Sequence, residues 1–161
     1  MERSSVAWKV IPLAMLNKDF FSARKYAQKY SDDPDTKVGC LITVTDGAKL
    51  LYTNRFPTQI RHSRNLNFSD KHICMVHAEQ AAIADFAKHG WGLRSATMLV
   101  THHPCLACTK AILSSGITKL IAPPPSADPI DRYNFKEAQI IIEESQIEYV
   151  EFSPFKYLNI I

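Results

Sequence analysis

Residues 96–122 read ATMLVTHHPCLACTKAILSSGITKLIA, and this stretch decides the architecture. Ala96 to Thr101 is a compact apolar run with the length of a buried strand. Leu106 to Ser115 reads as a short helix, stopped by Gly116, which supplies the left-handed cap that ends many helices. Thr118 to Ala122 is a second strand, and Pro123-Pro124-Pro125 forbids further ladder pairing beyond it. Strand, helix and strand in this order are the repeating unit of an α/β protein.

Towards the N-terminus, Asp19 to Tyr30 places Phe20, Phe21, Ala23, Tyr26 and Ala27 at helical spacings and runs into the turn cluster Ser31-Asp32-Asp33-Pro34. Val38 to Thr45 is rich in β-branched residues and stops at Asp46-Gly47, a hairpin signal. Leu50 to Thr53 is the returning strand, so the first two strands should be antiparallel neighbours. Residues 54–72, NRFPTQIRHSRNLNFSDKH, are polar and aperiodic, long enough for a loop to suggest function. Val76 to Lys88 reads as a helix closed by Gly90. On the C-terminal side, Tyr133 to Ser145 is a helix with Phe135, Ala138, Ile141 and Ile142 inward, and Ile147 to Phe152 is the last strand.

The order α-β-β-α-β-α-β-α-β predicts a three-layer α/β/α sandwich around a mixed five-stranded sheet, built as one domain over residues 1–161. A right-handed crossover through the last helix should make the last two strands parallel. The tail from Ser153 to Ile161 is apolar and is expected on the core or in a subunit interface, as is Trp8.

Composition excludes several classes. Apolar residues are 46% and charged residues 22%, which fits neither a disordered chain nor a membrane-embedded one. No apolar run approaches the ~20 residues that span a bilayer, and the first residues lack the apolar core of a secretory signal. Nineteen basic against sixteen acidic residues is too mild an excess for a protein that coats nucleic acid. Four cysteines are too few for a disulfide scaffold. A cytoplasmic location follows as the expectation.

Two short motifs carry chemistry. His77-Ala78-Glu79 opens one helix, and Pro104-Cys105-Leu106-Ala107-Cys108 opens the next. A Cys-x-x-Cys pair at a helix start brings two thiolates to one metal ion, and a histidine from a neighbouring helix start makes a third ligand. Three protein ligands leave a tetrahedral Zn²⁺ with one open position, the mark of a catalytic rather than a structural site. Glu79, two residues after His77, projects towards the same pocket without being needed as a ligand, where it can move protons. Taken alone, the cysteine pair also fits a redox couple or a structural zinc site; His-x-Glu upstream is what points to catalysis. Cys74 and Cys40 read as core residues.

The sequence resembles the deoxycytidylate (dCMP) deaminase family within the zinc-dependent cytidine deaminase superfamily. The resemblance rests on Asp33 to Cys40, Asn54-Arg55-Phe56-Pro57, Val76 to Glu79, Thr101 to Cys108, Ser115-Gly116-Ile117, and the helix with Tyr133, Glu137 and Ala138. It implies a cytidine deaminase-like fold, zinc held by His77, Cys105 and Cys108, and Glu79 as the proton shuttle. It further implies that the Ala78 N–H meets the pyrimidine carbonyl, that Asn54 holds the sugar hydroxyl, and that the chain forms a homo-oligomer, a dimer or a hexamer. The expected reaction is dCMP to dUMP with release of ammonia.

The chain departs from the family pattern at Arg55, where a glycine is usual, and at Ala81, where an asparagine is usual. The Gly-Cys loop of regulated members is replaced by TQIRHSRNL, residues 58–66, which bears on triphosphate feedback. The phosphate of a nucleotide needs a cation, and the basic loop offers Arg55, Arg61 and Arg64, with guanidinium groups that match phosphate geometry. The alternative is a basic loop that is merely solvated. Tyr133 is expected either to close over the base or to pack the start of its helix. Other substrates of the same chemistry stay open: a nucleoside, a free base, or adenosine in tRNA. So does a catalytically silent zinc-binding module.

Overall fold

The computed structural model describes residues 12–60, 71–126 and 132–154. Its elements are helix α1 (Leu13–Tyr30), strands β1 (Gly39–Thr43) and β2 (Lys49–Thr53), helices α2 (Lys71–Cys74) and α3 (Ala78–His89), and strand β3 (Thr97–Val100). Helix α4 (Leu106–Ser114), strand β4 (Lys119–Ala122), helix α5 (Phe135–Glu143) and strand β5 (Glu148–Glu151) complete them. The five strands form one sheet in the order β2-β1-β3-β4-β5. β1 is antiparallel to both β2 and β3, while β3, β4 and β5 run parallel. The expected mixed sheet and the parallel last pair are therefore found, and the parallel set extends to β3.

Strand alternation divides the sheet between two cores. Cys40, Ile42, Met98, Val100 and Leu120 face Ala82 and Phe86 of α3, Ile112 of α4 and Ile142 of α5. Leu41, Leu99 and Ile121, the intervening residues, face Leu16, Phe20 and Ala23 of α1. Helices thus cover both faces, the three-layer arrangement that parallel strands require. Phe86 is 2% exposed, and burying such a side chain stabilises the fold by about 2–3 kcal/mol.

The boundaries differ from the sequence reading in instructive places. Helix α1 begins six residues earlier than Asp19, at Leu13, because Leu16 extends the buried stripe of Phe20, Ala23 and Ala27 by one turn. Helix α3 begins at Ala78 rather than Val76, because the Val76 backbone exchanges two hydrogen bonds with Arg55, at 3.0 and 2.9 Å. The short helix α2 begins inside the stretch read as a loop, at Lys71, and runs two residues past its end. The arginines Arg61 and Arg64, Trp8 and residues 155–161 lie outside the described residues. Cys40 and Cys74 are buried, as read. Among the described residues, no helix is long and apolar enough to cross a membrane.

Helix α1 sits unusually close to the start of β1. A Cβ added at Gly39 would overlap the Ala23 carbonyl, with its carbon only 2.5 Å away. Gly39 also exchanges hydrogen bonds with Thr101, which closes the end of β3. The obstruction is backbone, which cannot rotate aside. Gly39→Ala is therefore expected to lower stability by about 3 kcal/mol, read as a shift of the urea midpoint with an unchanged slope.

Candidate functional site

The C-terminal ends of parallel strands are where open α/β sheets build their sites. Here β3 ends at Val100, and Thr101 to Pro104 lead directly to Cys105, the N-cap of α4. The Cys105 sulfur accepts a hydrogen bond from the Cys108 backbone N–H at 3.4 Å. The Cys-x-x-Cys spacing therefore caps its own helix and turns both sulfurs to one side. His77 is the N-cap of α3, held against the end of β2 by the Arg55–Val76 bridge one residue before it.

These two helix starts meet. His77 Nδ1 lies 3.5 Å from the Cys105 sulfur and 3.4 Å from the Cys108 sulfur, and all three donor atoms lie within 4.8 Å of one another. Zinc bonds of ~2.3 Å to sulfur and ~2.0 Å to nitrogen, opened to a tetrahedral angle, place sulfur and nitrogen roughly 3.5 Å apart. The donor set thus fits a zinc ion in both chemistry and spacing. Cys74 does not belong to the cluster.

The protonation pattern fits too. The hydrogen bond from Cys108 holds the Cys105 thiol down to about 4, so its sulfur is a thiolate. That same hydrogen bond, together with burial, pushes the Cys108 thiol far up. Hydrogen bonding to Cys105 raises His77.

Glu79 is 4% exposed, in the first turn of α3. Burial pushes its carboxyl up to about 7 against the opposing pull of His77. A carboxyl poised there can accept and return a proton near neutrality. Beside it, Ala78 is the first residue of the helix, so its N–H has no partner within α3.

His77 and Cys105 of the cluster line a cavity of about 550 Å³, with Thr36, Asn54, Glu79, His102, Arg132 and Tyr133 also in its wall. Tyr133 stands edge-on to the His77 ring at 6.2 Å, and its carbonyl accepts the Leu106 N–H at 3.0 Å. Asn54 is buried, and its side chain is almost fully committed. Its Oδ1 accepts hydrogen bonds from Ser31 Oγ at 2.7 Å, Val38 N–H at 3.0 Å and Thr53 Oγ1 at 3.2 Å. Its Nδ2 donates to the Thr36 carbonyl at 2.7 Å, leaving one amide proton for a ligand. Asn54→Ala would take the partner from two part-buried groups at once, the Thr36 carbonyl and the Val38 N–H, so a loss of about 2–4 kcal/mol is expected. Thermal unfolding of the two proteins measures it.

Arg55, unlike its neighbour Asn54, lines a separate groove with Tyr52 and Asp85. It does not line the cavity. Arg132, by contrast, does, and the sequence reading passed over it while choosing its neighbour Tyr133. The signal was there: a cation adjoining an aromatic residue, just before the last helix.

A layered α/β sheet with a His/Cys/Cys donor set and a buried carboxylate beside it has the build of a metal-dependent hydrolase. Comparison with known proteins makes this specific. The pattern of the cytidine and deoxycytidylate deaminase zinc-binding region matches residues 16–123. An uncharacterised deaminase from the luxG 3' region of Aliivibrio fischeri is 32% identical over 120 residues, covering 74% of this chain and 80% of that one. The deoxycytidylate deaminase of enterobacteria phage T4 is 43% identical over 70 residues, 43% of this chain and 35% of that one. In fold, the dCMP deaminase of cyanophage S-TIM5, solved with dCMP and dUMP, superposes with a TM-score of 0.71 at 20% identity, covering 89% of this chain and all of that one. The chain belongs to the cytidine and deoxycytidylate deaminase family, and it is a deaminase of the hydrolase class.

Proposed function

We propose that this deaminase acts on dCMP, adding water at C4 of the cytosine and releasing ammonia to leave dUMP. The observation that carries this reading is the buried Glu79 carboxyl beside the His77/Cys105/Cys108 donor set, with Glu79, His77 and Cys105 lining one cavity. The relatives named deoxycytidylate deaminase support the choice of nucleotide.

Zinc, held by His77, Cys105 and Cys108, supplies the Lewis acidity that makes a water nucleophilic at neutral pH. Glu79 takes a proton from the attacking water and passes it to N3 of the ring. It then carries the second proton from the new hydroxyl to the amino group, the C4–N bond breaks, and a C4 carbonyl remains. Water and dCMP are thereby balanced by dUMP and ammonia.

The Ala78 N–H points the helix start at the pyrimidine carbonyl, where the dipole favours developing negative charge. Asn54 meets the sugar hydroxyl as a donor, through the one amide proton that Thr36 does not take. Tyr133 packs over the base. Arg61 and Arg64 remain candidates for the phosphate. The exposed carboxylates Glu143, Glu144 and Glu151 disfavour a nucleic-acid backbone as substrate.

Ammonia release from dCMP, CMP, deoxycytidine, dCTP, cytosine and a tRNA anticodon stem-loop tests the reading. A wide lead for dCMP supports it. Equal turnover of deoxycytidine removes the phosphate from the substrate definition, and turnover of the stem-loop alone overturns the proposal.

A further inference from the structure

A monophosphate brings two negative charges into a cavity whose wall, among the described residues, holds one lysine or arginine, Arg132. Arg132 is exposed to the cavity solvent, and among the described residues no hydrogen bond or ion pair commits it to another residue. Its position is nevertheless fixed. The next residue, Tyr133, is tied by its carbonyl to the N–H of Leu106, directly after the ligand Cys105. The residue after that, Asn134, holds the left-handed conformation at φ 51°, which an asparagine tolerates better than most side chains. It turns the chain into α5 and leaves Arg132 and Tyr133 on the cavity side. A guanidinium can grip a phosphate with two parallel N–H bonds, and here it stands beside the aromatic ring that neighbours His77.

We infer that Arg132 is the specificity residue that binds the 5'-phosphate of a nucleotide in this cavity. The inference rests on the nucleotide reading above. It adds a residue to that reading and gives the arginine loop, at most, a supporting role. Lys37 is the contrasting cation: it lines the adjoining groove with Arg24 and His102 rather than the cavity itself.

The test is binding rather than turnover, so that catalysis does not enter. Calorimetry of dUMP and deoxyuridine on the zinc-loaded protein compares wild type, Arg132→Met, Arg132→Lys and Lys37→Met. Arg132→Met is expected to weaken dUMP about 10–100-fold, the worth of a charge-assisted contact, and to leave deoxyuridine unchanged. Arg132→Lys should recover part of the loss, because the charge returns without the bidentate fork. A loss of dUMP binding confined to Lys37→Met overturns the inference while the nucleotide reading stands. So does unchanged dUMP binding in Arg132→Met. Equal affinity of wild type for dUMP and deoxyuridine overturns both. Circular dichroism of each variant shows that a lost contact is not a lost fold.

Discussion

Glu79→Gln is expected to keep its zinc and lose between about 10² and 10⁴ in turnover, the usual worth of a positioned general acid and base. The amide is nearly the same size, so packing beside Cys40 and Ala82 should hold. What disappears is the ability to take a proton from water and hand it on. The variant should still bind dUMP, because Glu79 is not asked to hold the nucleotide. Single-turnover ammonia release with zinc content measured on the same sample checks the claim. Full activity with zinc bound would remove Glu79 from the mechanism. The surroundings explain why this position is sensitive. A carboxyl 4% exposed, raised to about 7 by burial, sits where its charge is neither firmly on nor firmly off at neutral pH.

Cys108→Ser should have a still larger effect. Cys108 is fully buried and lies 3.4 Å from His77 Nδ1, so no other residue of the cluster can replace its sulfur. The expected outcome is a chain that retains no zinc through gel filtration and releases no ammonia above background. Without the ion, the pKa of the attacking water returns from about 7 to about 15.7, a deficit no carboxylate can make up. Stripping wild type with a chelator should produce the same loss, and added zinc should restore wild type but not the variant. Activity in Cys108→Ser without metal would overturn the zinc reading altogether.

Much of this was legible in the sequence because period and spacing are local properties. Apolar and β-branched runs marked the strands, Asp46-Gly47 marked the hairpin, and the His-x-Glu and Cys-x-x-Cys offsets brought the donor groups together once two helix starts were adjacent. The misses share a physical cause. Which cavity or groove Arg55 lines depends on the path of the backbone where β2 ends, and the basic composition of its loop says nothing about that. Arg132 went unnoticed because its place is set by a long-range hydrogen bond between Tyr133 and Leu106 and by the turn at Asn134. The early start of α1 was hidden because Leu13 and Met15 are exposed, which blurs the stripe that Leu16 begins. The commitments of the Asn54 amide are tertiary and have no sequence signature.

The paired hydrogen bonds between Arg55 and Val76 also have a meaning for how such a chain can vary. They form a neck, with β2 on one side and the His77 cap on the other, and residues 56–75 leave and return through it. Whatever that excursion contains, the histidine is positioned by the neck rather than by the length of chain between its two sides. Doubling such a segment adds only about 0.6 kcal/mol of closure entropy. A change in the length of chain between the two sides of the neck therefore need not disturb the register of the chemistry beneath it.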